Sequence, residues 1–174
     1  MRILVVEDNP VERVLLKGVV EGLGHDCLTA SDGEEAWDLL GLEHGAVDVV
    51  ISDWRMPRVE GPELCRRIRQ HLPHYTYVIL NTMLDQKQHA LDGMKSGADD
   101  YLMKPLNIEA LEARLIAAAR VTSLHRRREA LLRVARRFAL ESHPELLLDA
   151  LLDESQALLH PMLSACIAGA SMTA

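Results

Sequence analysis

The run Val47-Asp48-Val49-Val50-Ile51-Ser52 constrains this chain more than any other feature. It is too apolar for a strand with one wet face, so it must be covered on both sides, as a strand inside a parallel sheet is. Parallel neighbours cannot be joined by a tight turn and need a crossover of a dozen or more residues, so helices should alternate with strands along the chain.

That alternation is present. Residues 2–6 (RILVV) form a short apolar run closed by Glu7 and Asp8, and Asn9-Pro10 then supplies a helix cap and a first-turn residue. Val11, Val14, Leu15, Val19 and Leu23 follow at three- and four-residue spacing, and Gly24 can end that helix. A second strand is expected over 27–30, then a helix after Asp32 bearing Ala36, Leu39 and Leu40, with Glu35 completing a capping box. The third strand, 47–52, leads to a helix opened by Gly61-Pro62 with Leu64, Cys65 and Ile68 inward. A fourth strand at 77–81 precedes a helix near 86–96, and a fifth at 100–103 precedes Pro105 and a helix started by Asn107. Five such units predict an α/β fold, a doubly wound parallel sheet with right-handed crossovers. In such sheets ligands collect beyond the carboxyl ends of the strands.

Composition supports one core and an extension rather than two complete domains. The 174 residues are 48% hydrophobic and only 3% aromatic, so Leu, Val, Ile and Ala must fill the interior. A formal charge of -7 argues against a nucleic-acid partner, although the charge is unevenly spread. Residues 1–119 carry 12 basic against 20 acidic side chains, residues 120–137 carry 7 against 1, and residues 138–174 carry 5 acids and no Lys or Arg. The basic block reads most simply as a solvated helix face. Cys27, Cys65 and Cys166 lack metal-ligand or disulfide spacing, which fits a reducing cytoplasm. The N-terminus lacks the pattern of a signal peptide and no run approaches 18 apolar residues, so no membrane partner is expected.

Reading only the strand ends gives Glu7 and Asp8, then Asp53, Thr82 and Lys104. Three carboxylates brought together repel one another unless a cation holds them, and an oxygen-only cluster suits Mg²⁺. A metal, an ammonium and a hydroxyl together can neutralise and position a transferring phosphoryl group, which gives Lys104 and Thr82 those two protein roles. Asp53 is then the acceptor, since its carboxylate oxygen can form an acyl phosphate.

The segments VVEDN at 5–9, DWRMP at 53–57 with Gly61, and GADDYLMKP at 97–105 resemble the receiver domains of two-component response regulators. Met56, Pro57 and Gly61 stand where that family has Met, Pro and Gly after its acceptor Asp, Thr82 lies 22 residues before Lys104, and Tyr101 lies three before it. The resemblance implies the flavodoxin-like strand order 2-1-3-4-5. It implies that Asp8, Asp53 and the main-chain carbonyl of Arg55 bind Mg²⁺, that Glu7 acts through water, and that Thr82 and Tyr101 form the switch. A sensor histidine kinase or phosphotransfer protein is the implied partner.

Two positions depart from the pattern. Asn81 and Met83 flank Thr82 where the family has an apolar and a small residue, and the bulk of Met83 predicts slowed phosphorylation or hydrolysis. The Arg55 side chain can lie over the site and add positive charge, or only its carbonyl matters.

Beyond Asn107 the helical pattern continues through Leu111, Leu115, Ala118, Val121, Leu124, Leu131, Ala135 and Phe138 without Gly or Pro until Pro144. The spacing of Val121, Leu124, Arg128, Leu131, Ala135 and Phe138 is that of a coiled-coil seam, so homodimerisation through residues 107–141 is expected. Ser142-His143-Pro144-Glu145 then starts an amphipathic helix, and the region from Leu131 resembles the opening of GAF-type sensory domains, with a strand expected over 162–169. The expected organisation is a receiver at 1–119, a signalling helix at 120–141, and at 142–174 a helical segment that begins a truncated output domain. His125 lacks the surroundings of a kinase phosphoacceptor. The expected function is a phosphoacceptor signalling module rather than an enzyme. Its rival is the regulatory front end of a longer cyclase, histidine kinase or phosphatase.

Overall fold

A computed structural model of the chain describes residues 1–42, 47–83 and 95–140. The chain divides into two compact units, Met1–Thr122 and Ser123–Ala174. The first contains β1 (Arg2–Val6), α1 (Pro10–Gly22), β2 (Asp26–Ala30), α2 (Gly33–Leu42), β3 (Val49–Asp53), α3 (Gly61–His71), β4 (Tyr77–Met83) and β5 (Asp100–Lys104). Helix α4 (Ile108–Leu140) starts in that unit and ends in the second. The five strands are all parallel, in the order β2-β1-β3-β4-β5. Strand order reverses between β1 and β3, which places the crevice at their carboxyl ends, beside Glu7, Asp8 and Asp53.

The apolar runs of β1 and β3 are buried on both faces, as their composition requires. Alternate side chains serve two separate core layers. Leu4, Val6, Val50, Val78 and Leu80 pack with Leu40, Leu64 and Ile68 from α2 and α3. Ile3, Val5, Val49, Ile51 and Ile79 pack with Leu16 and Val20 of α1 and with Leu111 and Leu115 of α4. Each such fully buried aliphatic side chain stabilises the fold by about 1.5–3 kcal/mol.

Helix α1 buries a different face from the one its spacing suggested. Val11, Val14 and Leu15 are exposed, at 75%, 70% and 58%, while Leu16 and Val20 enter the core with Val19 and Leu23 half-buried. The start of the helix sets this phase. Asn9 caps it by accepting hydrogen bonds from the amides of Val11 and Glu12, and the Arg13 guanidinium donates to the Glu7 carbonyl at 2.6 Å. That bond turns Arg13 toward the sheet, and Leu16 and Val20, three and seven residues further on, share its face.

The expected capping box of α2 closes one residue early. Asp32 Oδ1 accepts from the amides of Glu34 and Glu35, but the Glu35 carboxylate takes the Ser31 amide at 2.8 Å rather than that of Asp32. Strand β4 runs two residues beyond its expected end, so Thr82 and Met83 pair with Met103 and Lys104. The helix expected near 86–96 lies outside the described residues except at Lys95 and Ser96, which are helical. The helix expected from 142 and the strand at 162–169 lie outside them entirely.

At the opposite end of β4 and β5, Asp99 ties three segments together. Its carboxylate accepts from the Val78 amide at 2.7 Å, the Tyr75 hydroxyl at 2.5 Å and the Arg69 guanidinium at 2.5 Å. Arg69 also donates to the main-chain carbonyls of Thr76 and Gly97. In α4, Leu124, Leu131 and Phe138 recur every seven residues as exposed apolar side chains, whereas Thr122 and Ala130 are buried.

Candidate functional site

Glu7 follows β1 directly and extends its ladder by donating its amide to the Ala30 carbonyl at 3.1 Å. Its carboxylate is 2% exposed and is steered by the Asn9 amide at 3.4 Å. Asp8, next in the chain, is exposed. Asp53 closes β3, and its Oδ1 accepts from the Trp54 amide at 2.8 Å, an amide that the Asn81 carbonyl also engages at 3.0 Å. Gly61 lets the start of α3 lie against this turn, because a Cβ there would stand 2.3 Å from the Asp53 carbonyl oxygen.

Lys104 ends β5, joined to Pro105 by a cis peptide. Its Nζ lies 3.0 Å from Glu7 Oε2, 3.2 Å from Asp53 Oδ2 and 2.8 Å from Glu12 Oε2. Burial draws the ammonium down, but hydrogen bonds to Glu12 and Glu7 and the charge of Asp53 outweigh it and hold Lys104 above the usual lysine range. Burial pushes the Asp53 and Glu7 carboxyls above their ordinary values despite the opposing pull of Lys104.

Glu7, Asp8 and Asp53 each offer a carboxylate oxygen, and these oxygens lie within 4.8 Å of one another. A cluster of hard oxygen donors, two of them on acids whose ionisation burial penalises, fits a divalent cation such as Mg²⁺. The other expected residues are more loosely placed. Thr82 is half-buried on the same edge, with its hydroxyl donating to the Met83 carbonyl at 3.5 Å. Tyr101 is half-buried against the α2 and α3 core layer, and the Arg55 side chain is exposed.

The fold places at this edge two residues to which the strand-end reading gave no role there. Glu12 reaches Lys104 across 92 positions of sequence, and its one sequence signal is an acid in the first turn of α1, where the helix dipole favours one. Asn81, buried at the edge of β4, has an Oδ1 with no hydrogen-bond partner among the described residues. A groove of about 420 Å³ opens beside Lys104, with Leu15, Leu16, Asn81, Met83 and Leu106 in its lining.

The fold and the site geometry meet in one comparison, in which residues 3–116 match the response regulator receiver domain. The chain belongs to the response regulator receiver family. The receiver is 40% identical over 122 residues to the sensor histidine kinase RcsC of Salmonella typhi, covering 68% of this chain and 12% of the kinase. It is 35% identical over 117 residues to a chemotaxis protein CheY homolog of Campylobacter jejuni, covering 66% of this chain and 89% of the homolog. Among solved structures, a response regulator receiver domain protein from Clostridium thermocellum superposes with a TM-score of 0.66 at 32% identity, covering 71% of this chain and 97% of that one. Receivers are signalling domains of two-component systems that generally bind Mg²⁺ at an acidic pocket and interact with sensor histidine kinases or phosphotransfer proteins. Among the described residues, no helix is long and apolar enough to cross a membrane.

Proposed function

We propose that the chain is a phosphorelay receiver whose Asp53 accepts a phosphoryl group from the phosphohistidine of a sensor kinase or phosphotransfer protein. An Asp53 carboxylate oxygen attacks phosphorus, the phosphorus–nitrogen bond breaks, and the donor imidazole departs. The observation that carries this reading is the Lys104 ammonium 3.2 Å from Asp53 Oδ2, beside the acid cluster. Lys104 supplies the positive charge that an acyl phosphate on Asp53 needs. Glu7, Asp8, Asp53 and the Arg55 carbonyl would hold Mg²⁺, Glu7 through water, and the ion would neutralise the phosphoryl oxygens.

In this reading Thr82 turns its hydroxyl from the Met83 carbonyl to the phosphoryl group and Tyr101 follows it inward. The receiver would occupy residues 1–119, and residues 120–141 would carry the signal to a dimer or to an output domain begun by 142–174. The exposed stripe of Leu124, Leu131 and Phe138 supports dimerisation through 107–141. A second reading, the regulatory front end of a longer enzyme, is favoured by one likeness: a probable two-component system response regulator/GGDEF domain protein superposes with a TM-score of 0.65 at 25% identity, with 50% of that chain covered.

Labelling with acetyl phosphate and Mg²⁺ tests the assignment. Asp53→Asn is expected to abolish incorporation, and labelling that persists in a folded Asp53→Asn protein contradicts it.

A further inference from the structure

Lys104 holds three carboxylates, and they do not have equal alternatives. Glu7 and Asp53 belong to the oxygen cluster that fits a cation, so each has another positive partner available. Glu12 is outside that cluster, at 2.8 Å has the shortest of the three contacts, and is held in the first turn of a capped helix. Converting the Asp53 carboxylate to an acyl phosphate adds negative charge at the point where Lys104 must turn. Glu12 opposes that step in two ways of the same sign: it occupies an ammonium proton, and its own charge repels the incoming group.

We propose that Glu12 is a brake on phosphoryl uptake, a positioning residue that acts by competing with the phosphoryl group for the Lys104 ammonium that it shares with Asp53. This rests on the reading of Asp53 as acceptor and Lys104 as its counter-ion. The Glu12 side chain is 47% exposed, so water weakens its hold and the effect is modest. Releasing it should tighten binding of a phosphoryl mimic by about 2- to 5-fold.

The full chain is titrated with beryllofluoride in the presence of Mg²⁺, and separately with Mg²⁺ alone, following tryptophan fluorescence, to which Trp54 beside Asp53 contributes. Glu12→Gln is expected to bind beryllofluoride 2- to 5-fold more tightly, roughly the worth of one partly exposed ion pair, with no gain in affinity for Mg²⁺ alone. A general loosening of the site would weaken both. Glu12→Asp keeps the charge but loses one methylene of reach, and it is expected to shift beryllofluoride affinity in the same direction, which assigns the effect to the contact. It also decides the matter should Glu12→Gln not fold. If the wild type binds beryllofluoride and neither variant binds it more tightly, the brake is overturned while the acceptor reading stands. If the wild type forms no adduct with Mg²⁺ present, both fall.

Discussion

Replacing Lys104 by Met should expose how much of the fold's stability is tied to its charged edge. The substitution keeps an unbranched side chain of similar length, 87% buried at this site, but leaves Glu7 and Asp53 facing each other without the ammonium. Removing one partner of a buried pair costs about 3–5 kcal/mol. Asp53 keeps some access to water and a buried acid can take up a proton, so about 2–3 kcal/mol is expected at neutral pH. With a urea slope of about 1–3 kcal/mol per molar, the midpoint should fall by roughly 0.7–3 M. Trp37 and Trp54 are both in the first unit, so fluorescence follows that unit's unfolding. Burial already raises the Glu7 and Asp53 carboxyls, and loss of the ammonium raises them further. An acid whose folded value exceeds its unfolded value contributes stability that is complete below the unfolded value and is lost as pH rises through the folded one. The deficit of the variant should therefore shrink toward about pH 5, and Mg²⁺ should recover part of it at neutral pH. An unchanged midpoint, or a deficit indifferent to both pH and Mg²⁺, would refute the electrostatic reasoning.

Three further outcomes are expected. Gly61→Ala places a methyl group against the Asp53 carbonyl and should cost about 1–3 kcal/mol in urea unfolding while slowing acetyl-phosphate labelling. Asp99→Ala removes the carboxylate that accepts from Arg69, the Tyr75 hydroxyl and the Val78 amide, and should cost about 2–4 kcal/mol with Mg²⁺ affinity unchanged, because Asp99 lies at the far end of the sheet. In sedimentation, Leu131→Glu should weaken a dimer of the full chain by at least about 10-fold by putting a charge in the α4 stripe; a wild type that is monomeric at every concentration would remove the dimer from the proposal.

The sheet was legible because burial on both faces leaves few choices for residues such as Val49, Val50 and Ile51. That Glu7, Asp53 and Lys104 come together was legible because strand ends in this topology converge. The phase of α1 was not legible, since that helix offers two overlapping apolar sets, and the buried one, Leu16 and Val20, is the set that shares a face with Arg13 and its contact to the Glu7 carbonyl. Nor were the Asp99 tie and the Glu12 contact, which join residues 21 to 92 positions apart and leave no periodic trace. The end of β4 was underestimated because the polar pair Asn81-Thr82 closes its apolar run, although the main chain of Thr82 and Met83 stays in the sheet.

The amide oxygen of Asn81 carries a consequence for how readily this end of the molecule rearranges. A sequestered carbonyl that meets no donor among the described residues disfavours the conformation that strands it by roughly 1–3 kcal/mol. A shift that brings a donor to that oxygen recovers the difference. A leucine in its place would flatten that slope and leave the present conformation harder to abandon.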